Sequence, residues 1–521
     1  MSSVRCNYVI AVIGREASGR GQMWGAPDNG GQSGASMFFK TVSGGASTAP
    51  GRLWGVRGAL AAGTLAATLL GVDALRAETI GGALVKAYFN NPDINQQRAA
   101  VRASDENVPK AISGYRPTVS AEADASVQQT DVGTPNLQGG FPALGGGSSD
   151  IFSRPRGYGL TVNQTLWNGN RTFNSVRGAE SGVMAARETL RNTEQNVLLD
   201  GVTDYMNVLR DTAILELDRN NVEVLQEQLR QTKDRFAVGE VTRTDVAQAE
   251  ASLAGAQATA LSAQSTLQTS IANYRQVIGE EPKSLAPVRA LERPLPKSLV
   301  QAIAISQVEH PAIVGSLHGV DAAALNIKVI EGALYPTVGL VGQVAQRFDV
   351  SGLAVPNHEL SASLQGQITI PIYDGGTTYA STRQAKEQLG QQELQTDLQR
   401  DKVRAAVVSA WGVNENSVGI IRSAKAQVAA AEIALAGIRE EAKVGQRTTF
   451  DVLTAQQTLL NARVQLVVAQ HDQVVASYAV LAAIGRLSTA NLGLAANQYD
   501  PKVHFDQVKD KWFGLRTPDG R

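Results

Sequence analysis

Two short stretches, AVGEVTRTDV and KVGQRTTFDV, hold the polar side chains best placed to act on one another. Thr244, Asp245, Arg447 and Asp451 each lie within six residues of Gly239 or Gly445. Six helical residues cover only about 9 Å, so a guanidinium, two carboxylates and a hydroxyl collect where the chain reverses. Such a set can form ion pairs, or it can be no more than the solvated ends of helices. It is not the material of catalysis. The chain contains no Walker-type phosphate loop, no HExxH and no GxSxG. His310, His318, His358, His471 and His504 form no ligand-like pair three or four residues apart, and the single cysteine is Cys6. A thiolate metal site and a disulfide framework are therefore excluded. No catalytic residue, metal or cofactor is expected.

Composition narrows the class further. Lys+Arg and Asp+Glu are both 48 in 521 residues, which lacks the basic excess that a nucleic-acid partner would require. Aromatic residues make up only 5%, too few for one large core built on Phe and Trp. Residues 1–57 are rich in Gly and Ser. Arg52 and Arg57 then precede a short Ala/Gly-rich apolar run, Gly58–Val72, and the small residue Ala77 follows. These are the parts of a secretory signal, so residues 1–77 are expected to be a leader that is removed. Met37 is an alternative start that would leave 1–36 untranslated. No other stretch reads as apolar for long enough to be a membrane helix.

The remainder is one unit used twice. Pro92 and Pro311 are 219 positions apart, as are Pro117 and Pro336. Gly169 and Gly375 are 206 apart, and so are Gly239 and Gly445, Asp245 and Asp451, and Gly279 and Gly485. The change of register falls between Pro117 and Gly169, where the first copy carries a Gly/Pro-rich loop around Gln138–Ser149. The first repeat spans 78–279: a helix, a hairpin over 118–167, a long helix over 169–237, a turn at 238–241 and a helix over 242–278. A Pro-rich linker, 280–298, leads to the second repeat, 299–485, with its hairpin at 337–373, long helix at 375–443, turn at 444–447 and helix at 448–484. A tail, 486–521, follows.

Val208, Leu215, Val222, Leu229 and Phe236 recur every seven residues, and Ala455, Ala462, Ala469, Ala476 and Ala483 do so near the end. A sustained seven-residue repeat specifies a coiled coil, and about 68 helical residues span roughly 100 Å. Four segments instead alternate with period two: Thr118–Gln128, Tyr158–Trp167, Val338–Phe348 and Leu360–Ile372. One apolar and one polar face over this length suits strands that cross a bilayer. Four strands cannot close a barrel, and open edges are not tolerated in lipid. The chain must oligomerise, three copies giving twelve strands, or stay out of the membrane. The competing reading is a soluble periplasmic coiled-coil adaptor or structural protein.

With its duplicated unit and the turn pattern VG-x-x-T-x-x-DV, the chain resembles the TolC family of outer-membrane efflux proteins across residues 80–488. The most specific stretches are Arg235–Leu253 and Ala442–Ala462, with LWNGN and IYDGG where strands hand over to long helices. The resemblance implies a mainly α fold with β strands: long antiparallel coiled coils from two tandem repeats, plus four membrane strands contributed to a trimeric 12-stranded β-barrel. It implies an outer-membrane channel-tunnel, the exit duct of a tripartite efflux pump or type I secretion system. Its partners would be two further copies, a periplasmic adaptor (membrane fusion) protein, an inner-membrane transporter and outer-membrane lipid. Val238, Gly239, Glu240, Val444, Gly445 and Gln446 would meet the adaptor. Thr244, Asp245, Arg447 and Asp451 match the periplasmic gate, where an arginine bonds to the Thr-Asp of another hairpin and an aspartate forms a ring on the pore axis. The chain departs from the pattern at Ala442, where a tyrosine would link the coils, and at Thr454, where a second aspartate ring would sit.

Overall fold

A computed structural model describes residues 77–133, 148–291, 295–349, 358–494 and 496–520. The expected leader and signal lie outside the described residues except for Ala77, as does most of the Gly/Pro-rich loop of the first hairpin. The chain begins with three helices, α1 (Ile80–Asn90), α2 (Pro92–Asp105) and α3 (Asn107–Ile112). Four strands follow: β1 (Thr118–Ala125), β2 (Gln128–Gly133), β3 (Ser148–Ser153) and β4 (Arg156–Trp167). Next come α4 (Arg171–Ala237) and α5 (Arg243–Ile278). The second half repeats this with α6 (Leu299–Glu309), α7 (Pro311–Glu331), β5 (Thr337–Phe348), β6 (His358–Thr369), α8 (Thr377–Lys443) and α9 (Thr449–Ala483). A short helix, α10 (Pro501–Val508), lies in the tail.

Three details differ from the sequence-based expectation. The alternation of Thr118–Gln128 is interrupted after Ala125, and β2 and β3 form a separate two-stranded ribbon beyond the main sheet. The last strand stops at Thr369, not Ile372, because Pro371 has no N–H to donate to a ladder. The single helix expected before each hairpin is broken at Pro92 and at Pro311, each the first residue of a new helix.

The helix before each of these prolines ends at a residue that caps the next one. Asn91 accepts from the N–H groups of Asp93 and Ile94. Its counterpart 219 positions on is His310, whose Nδ1 accepts from the N–H of Ala312 at 3.2 Å. That role requires a bare Nδ1. Withdrawal from water, aided by nearby Arg191, pushes the His310 pKa down from 6.5 to about 4. The unfolded chain therefore takes up a proton that the folded chain refuses. Stability is full above about pH 6.5 and falls as pH drops towards about 4. Replacing His310 with Asn, the first repeat's own solution, should flatten that fall, read as the difference in unfolding midpoint between neutral and mildly acidic buffer.

The main sheet is antiparallel in the order β1-β4-β5-β6, so the two repeats join through the β4–β5 pair. Its register stacks apolar residues into rows on one face. Val119, Val162, Gly342 and Leu364 form one row, and Ala121, Leu160, Val344 and Ala362 the next. The opposite face carries rows such as Ser120, Thr161, Gln343 and Ser363. Every residue of β1 and β6 is exposed, and Leu360, Leu364 and Ile368 lie bare. Among the described residues no layer covers the apolar face.

From the ends of β4 and β6 the chain swings into the 67-residue helices α4 and α8. Two successive residues with positive φ make each swing, Gly169 and Asn170 in the first repeat and Gly375 and Gly376 in the second. A Cβ at Gly169 would run into the carbonyl of Gly332, so no other residue fits there. Each helix runs about 100 Å before reversing into α5 or α9. Small residues sit at the seams: Ala249 and Ser270 on α5, and Ala462, Ala469 and Ala476 on α9, are buried. The main core lies part-way along the coils, where Leu84, Leu198, Val202, Tyr205, Tyr274, Ile313 and Leu481 pack together. The tail folds back onto it. Leu487 joins this core, and His504 of α10 bonds to buried Asp105 of α2 at 2.9 Å.

The expectation of no further membrane-length apolar helix needs correcting. By length and mean hydropathy, Leu299–Leu334 and Thr449–Ala483 qualify. Composition is what they share with a span: the first is broken by Pro311, and the second lies along α8 with Val452, Leu459, Val474 and Leu481 buried.

Candidate functional site

The two helix reversals at the far end of the coils have one construction. α4 ends at Ala237, and the N–H groups of Gly239 and Glu240 return to the carbonyls of Phe236 and Arg235 at 3.0 Å each. α8 ends at Lys443, and Gly445 and Gln446 return to Ala442 and Glu441 at 3.2 and 3.0 Å. This closes a helix only if the turning residue is left-handed. Gly239 and Gly445 have φ of 81° and 77°. A Cβ on either would meet nothing within 4 Å, so backbone conformation, not space, demands glycine. Val238 and Val444 project beside them, each 71% exposed.

An ion pair braces each turn, with the charges exchanged between repeats. Arg235 reaches Glu240 at 3.0 Å, and Arg447 reaches Glu441 at 2.9 Å. Glu441 is the repeat counterpart of Arg235. Farther up the coils, Lys233 pairs with Glu250 at 2.8 Å, and the matching residues Arg439 and Gln456 make a weaker contact at 3.4 Å.

Asp245 and Asp451 have a local role that the sequence reading missed. Each is the third residue of its helix. Asp245 accepts from the N–H and hydroxyl of Thr242 at 2.9 and 2.7 Å, while Thr242 accepts from the N–H of Asp245. Thr448 and Asp451 do the same at 3.0, 2.9 and 3.2 Å. These are reciprocal capping boxes, and the T-x-x-D spacing in both turns was the available signal. The hydrogen bonds hold both carboxyls below the ordinary range. For Asp245 the Thr242 hydroxyl contributes most; for Asp451 it is the Thr448 N–H, with Arg447 adding a smaller pull. Both groups are therefore anionic at neutral pH.

The chain thus brings Arg447 and Asp451 into one tip and Thr244 and Asp245 into the other. Within the chain, Arg447 hydrogen-bonds to Glu441, not to Thr244 or Asp245. Thr244 is exposed beside its capping box. Asp451 carries the charge and Thr454 does not, its hydroxyl being returned to the carbonyl of Phe450 at 2.9 Å. Among the described residues no cluster of His, Cys, Asp and Glu is suited to a metal ion.

A family model described as outer membrane efflux protein matches residues 83–280 and 303–486. The chain is 44% identical over 461 residues to the outer membrane efflux protein BepC of Brucella suis biovar 1, covering 88% of this chain and 97% of that protein. It is 24% identical over 440 residues to the outer membrane protein TolC of Escherichia coli K12, covering 81% and 85%. Among solved structures, the CmeC outer membrane channel of Campylobacter jejuni superimposes with a TM-score of 0.69 at 17% identity, over 83% of this chain and 89% of that one.

Proposed function

The chain belongs to the outer membrane efflux protein family, and from that premise we propose how its parts make an exit duct. The protein is an outer-membrane efflux channel. Three copies place their sheets side by side, β6 of one antiparallel to β1 of the next. The observation that carries this reading is the four-stranded sheet, whose apolar face is bare and whose edges, β1 and β6, are unpaired among the described residues. In lipid such edges must be closed. Two copies would close eight strands, but a barrel of that size is filled by its own side chains. Twelve strands are the smallest multiple of four that leaves a lumen. A soluble adaptor would instead leave the rows through Leu160 and Leu364 in water.

The helical hairpins extend the duct into the periplasm, towards an inner-membrane transporter and its adaptor protein. Val238, Gly239 and Glu240, with Val444, Gly445 and Gln446, form the surface the adaptor meets. The gate lies just above. In the closed trimer, Arg447 leaves Glu441 to bridge to Thr244 and Asp245 of another hairpin, and three Asp451 carboxylates face the axis. Capping keeps those carboxylates charged, so they repel one another and attract cations. The relatives include proteins named for efflux and for protease secretion, and either cargo class fits this duct.

The assembly is tested by extracting the protein with mild detergent and weighing the particle by native mass spectrometry. Three copies, recovered from the outer-membrane fraction, are expected. A stable lipid-free monomer in the periplasmic fraction would overturn the reading.

A further inference from the structure

A groove of about 450 Å³ lies where α4, α5 and α9 meet, above the tips. Leu225, Phe450 and Leu453 give it an apolar patch, and amides and hydroxyls, Asn221 and Gln456 among them, line much of the rest. Asp218 of α4 also lines it, although the residue is only 4% exposed. Among the described residues no donor or cation bonds to this carboxylate. Asp211, two turns earlier on the same helix, instead pairs with Arg210 and accepts from Ser270. Arg439, on the neighbouring coil, is engaged by Gln456. Burial alone acts on the Asp218 carboxyl, and it raises the pKa.

A carboxylate that is nearly buried, meets no donor and opens only onto a groove is poorly hydrated, which favours a cation in that groove. An apolar patch with an aromatic ring, beside amides and one uncompensated negative charge, defines an amphipathic ligand: a partly hydrophobic body carrying a single positive charge. The volume falls in the range of small-molecule sites, and Phe450 offers a ring face to a cation. We infer that the groove between the first coiled coil and α9 binds amphipathic organic cations, with Asp218 as their counter-ion. The groove borders the proposed gate, since Phe450 and Leu453 flank Asp451 on α9, but Asp218 is not one of the gate residues. Occupied, the groove would wedge α9 against α4 and α5 at the junction of the two repeats, where Gln456 reaches Asn221 at 3.5 Å.

The test uses the intact assembled protein in non-ionic detergent and equilibrium dialysis against the same detergent. Tetraphenylphosphonium is the probe, and tetraphenylborate, of the same shape and opposite charge, is the control. Saturable phosphonium binding at one site per chain is expected, with no saturable borate binding. Asp218→Asn keeps the shape and removes the charge, and should weaken phosphonium binding about thirtyfold or more. Single-channel conductance of the unliganded variant should match the parent, which shows that it assembles. Equal binding by parent and variant, saturable borate binding, or no saturable phosphonium binding to the parent would each overturn the assignment. The last result would mean that the assembled protein covers the groove itself. None of these outcomes bears on whether the protein is a channel.

Discussion

Channels carrying Arg447→Ser should open. In planar bilayers their conductance is expected to rise, and cells bearing them should admit large antibiotics without any pump. A single exposed ion pair is weak, but threefold symmetry removes three at once, so the open fraction should shift on the order of tenfold. The resemblance puts Ala442 where a tyrosine would link the coils, so in the proposed gate fewer bonds would keep it closed. Asp451→Asn belongs in the same experiment. Asn retains an oxygen for the Thr448 cap, so the helix start survives, while the ring loses its charge. Cation selectivity and block by multivalent cations should then fall without a large change in conductance. Alanine at the same place would confuse the two effects, since loss of a cap alone costs about 0.5–2 kcal/mol. Unchanged conductance in the first variant and unchanged selectivity in the second would return these residues to the role of capped, solvated helix ends.

The second large effect lies at the tips. Gly239→Val combined with Gly445→Val should abolish export while three copies still assemble. Both positions need positive φ, where a β-branched residue is strained, and no neighbour within 4 Å exists to be displaced. The damage is therefore confined to the shape of the two turns. Val238→Asp with Val444→Asp leaves the backbone alone and removes the exposed apolar side chains, and it should block export as well. Normal export by both double variants would show that the adaptor does not meet these turns.

Much of this architecture is written in spacing. The 206- and 219-residue offsets expose the duplication, and the heptads of alanine on α9 become a buried seam because small side chains let two helices approach closely. Period-two segments are legible for the same reason: a strand between lipid and water must separate its faces. What could not be read depends on tertiary contact. Asp218 looks like any polar position on a long helix, and only the approach of α5 and α9 buries it. The β2–β3 ribbon follows an interruption at Ser126 and Val127 that composition does not mark. His504 gives no sign in the sequence that it will meet Asp105, 399 positions away. The capping boxes are the reverse case. Their T-x-x-D signature is present in both turns, yet the same aspartates read equally well as free charges at a helix end.

The exchanged braces at the two turns have a consequence for counting. In the proposed trimer, three chains would present six tips around the mouth, three stiffened by Arg235 and Glu240 and three by Glu441 and Arg447. The valine at each apex is the same in both kinds. A binding protein that grips the valines finds six equivalent places, whereas one that reads the charges beside them finds two sets of three. The stoichiometry of the docked complex, six or three, therefore reports which feature of the tip is recognised.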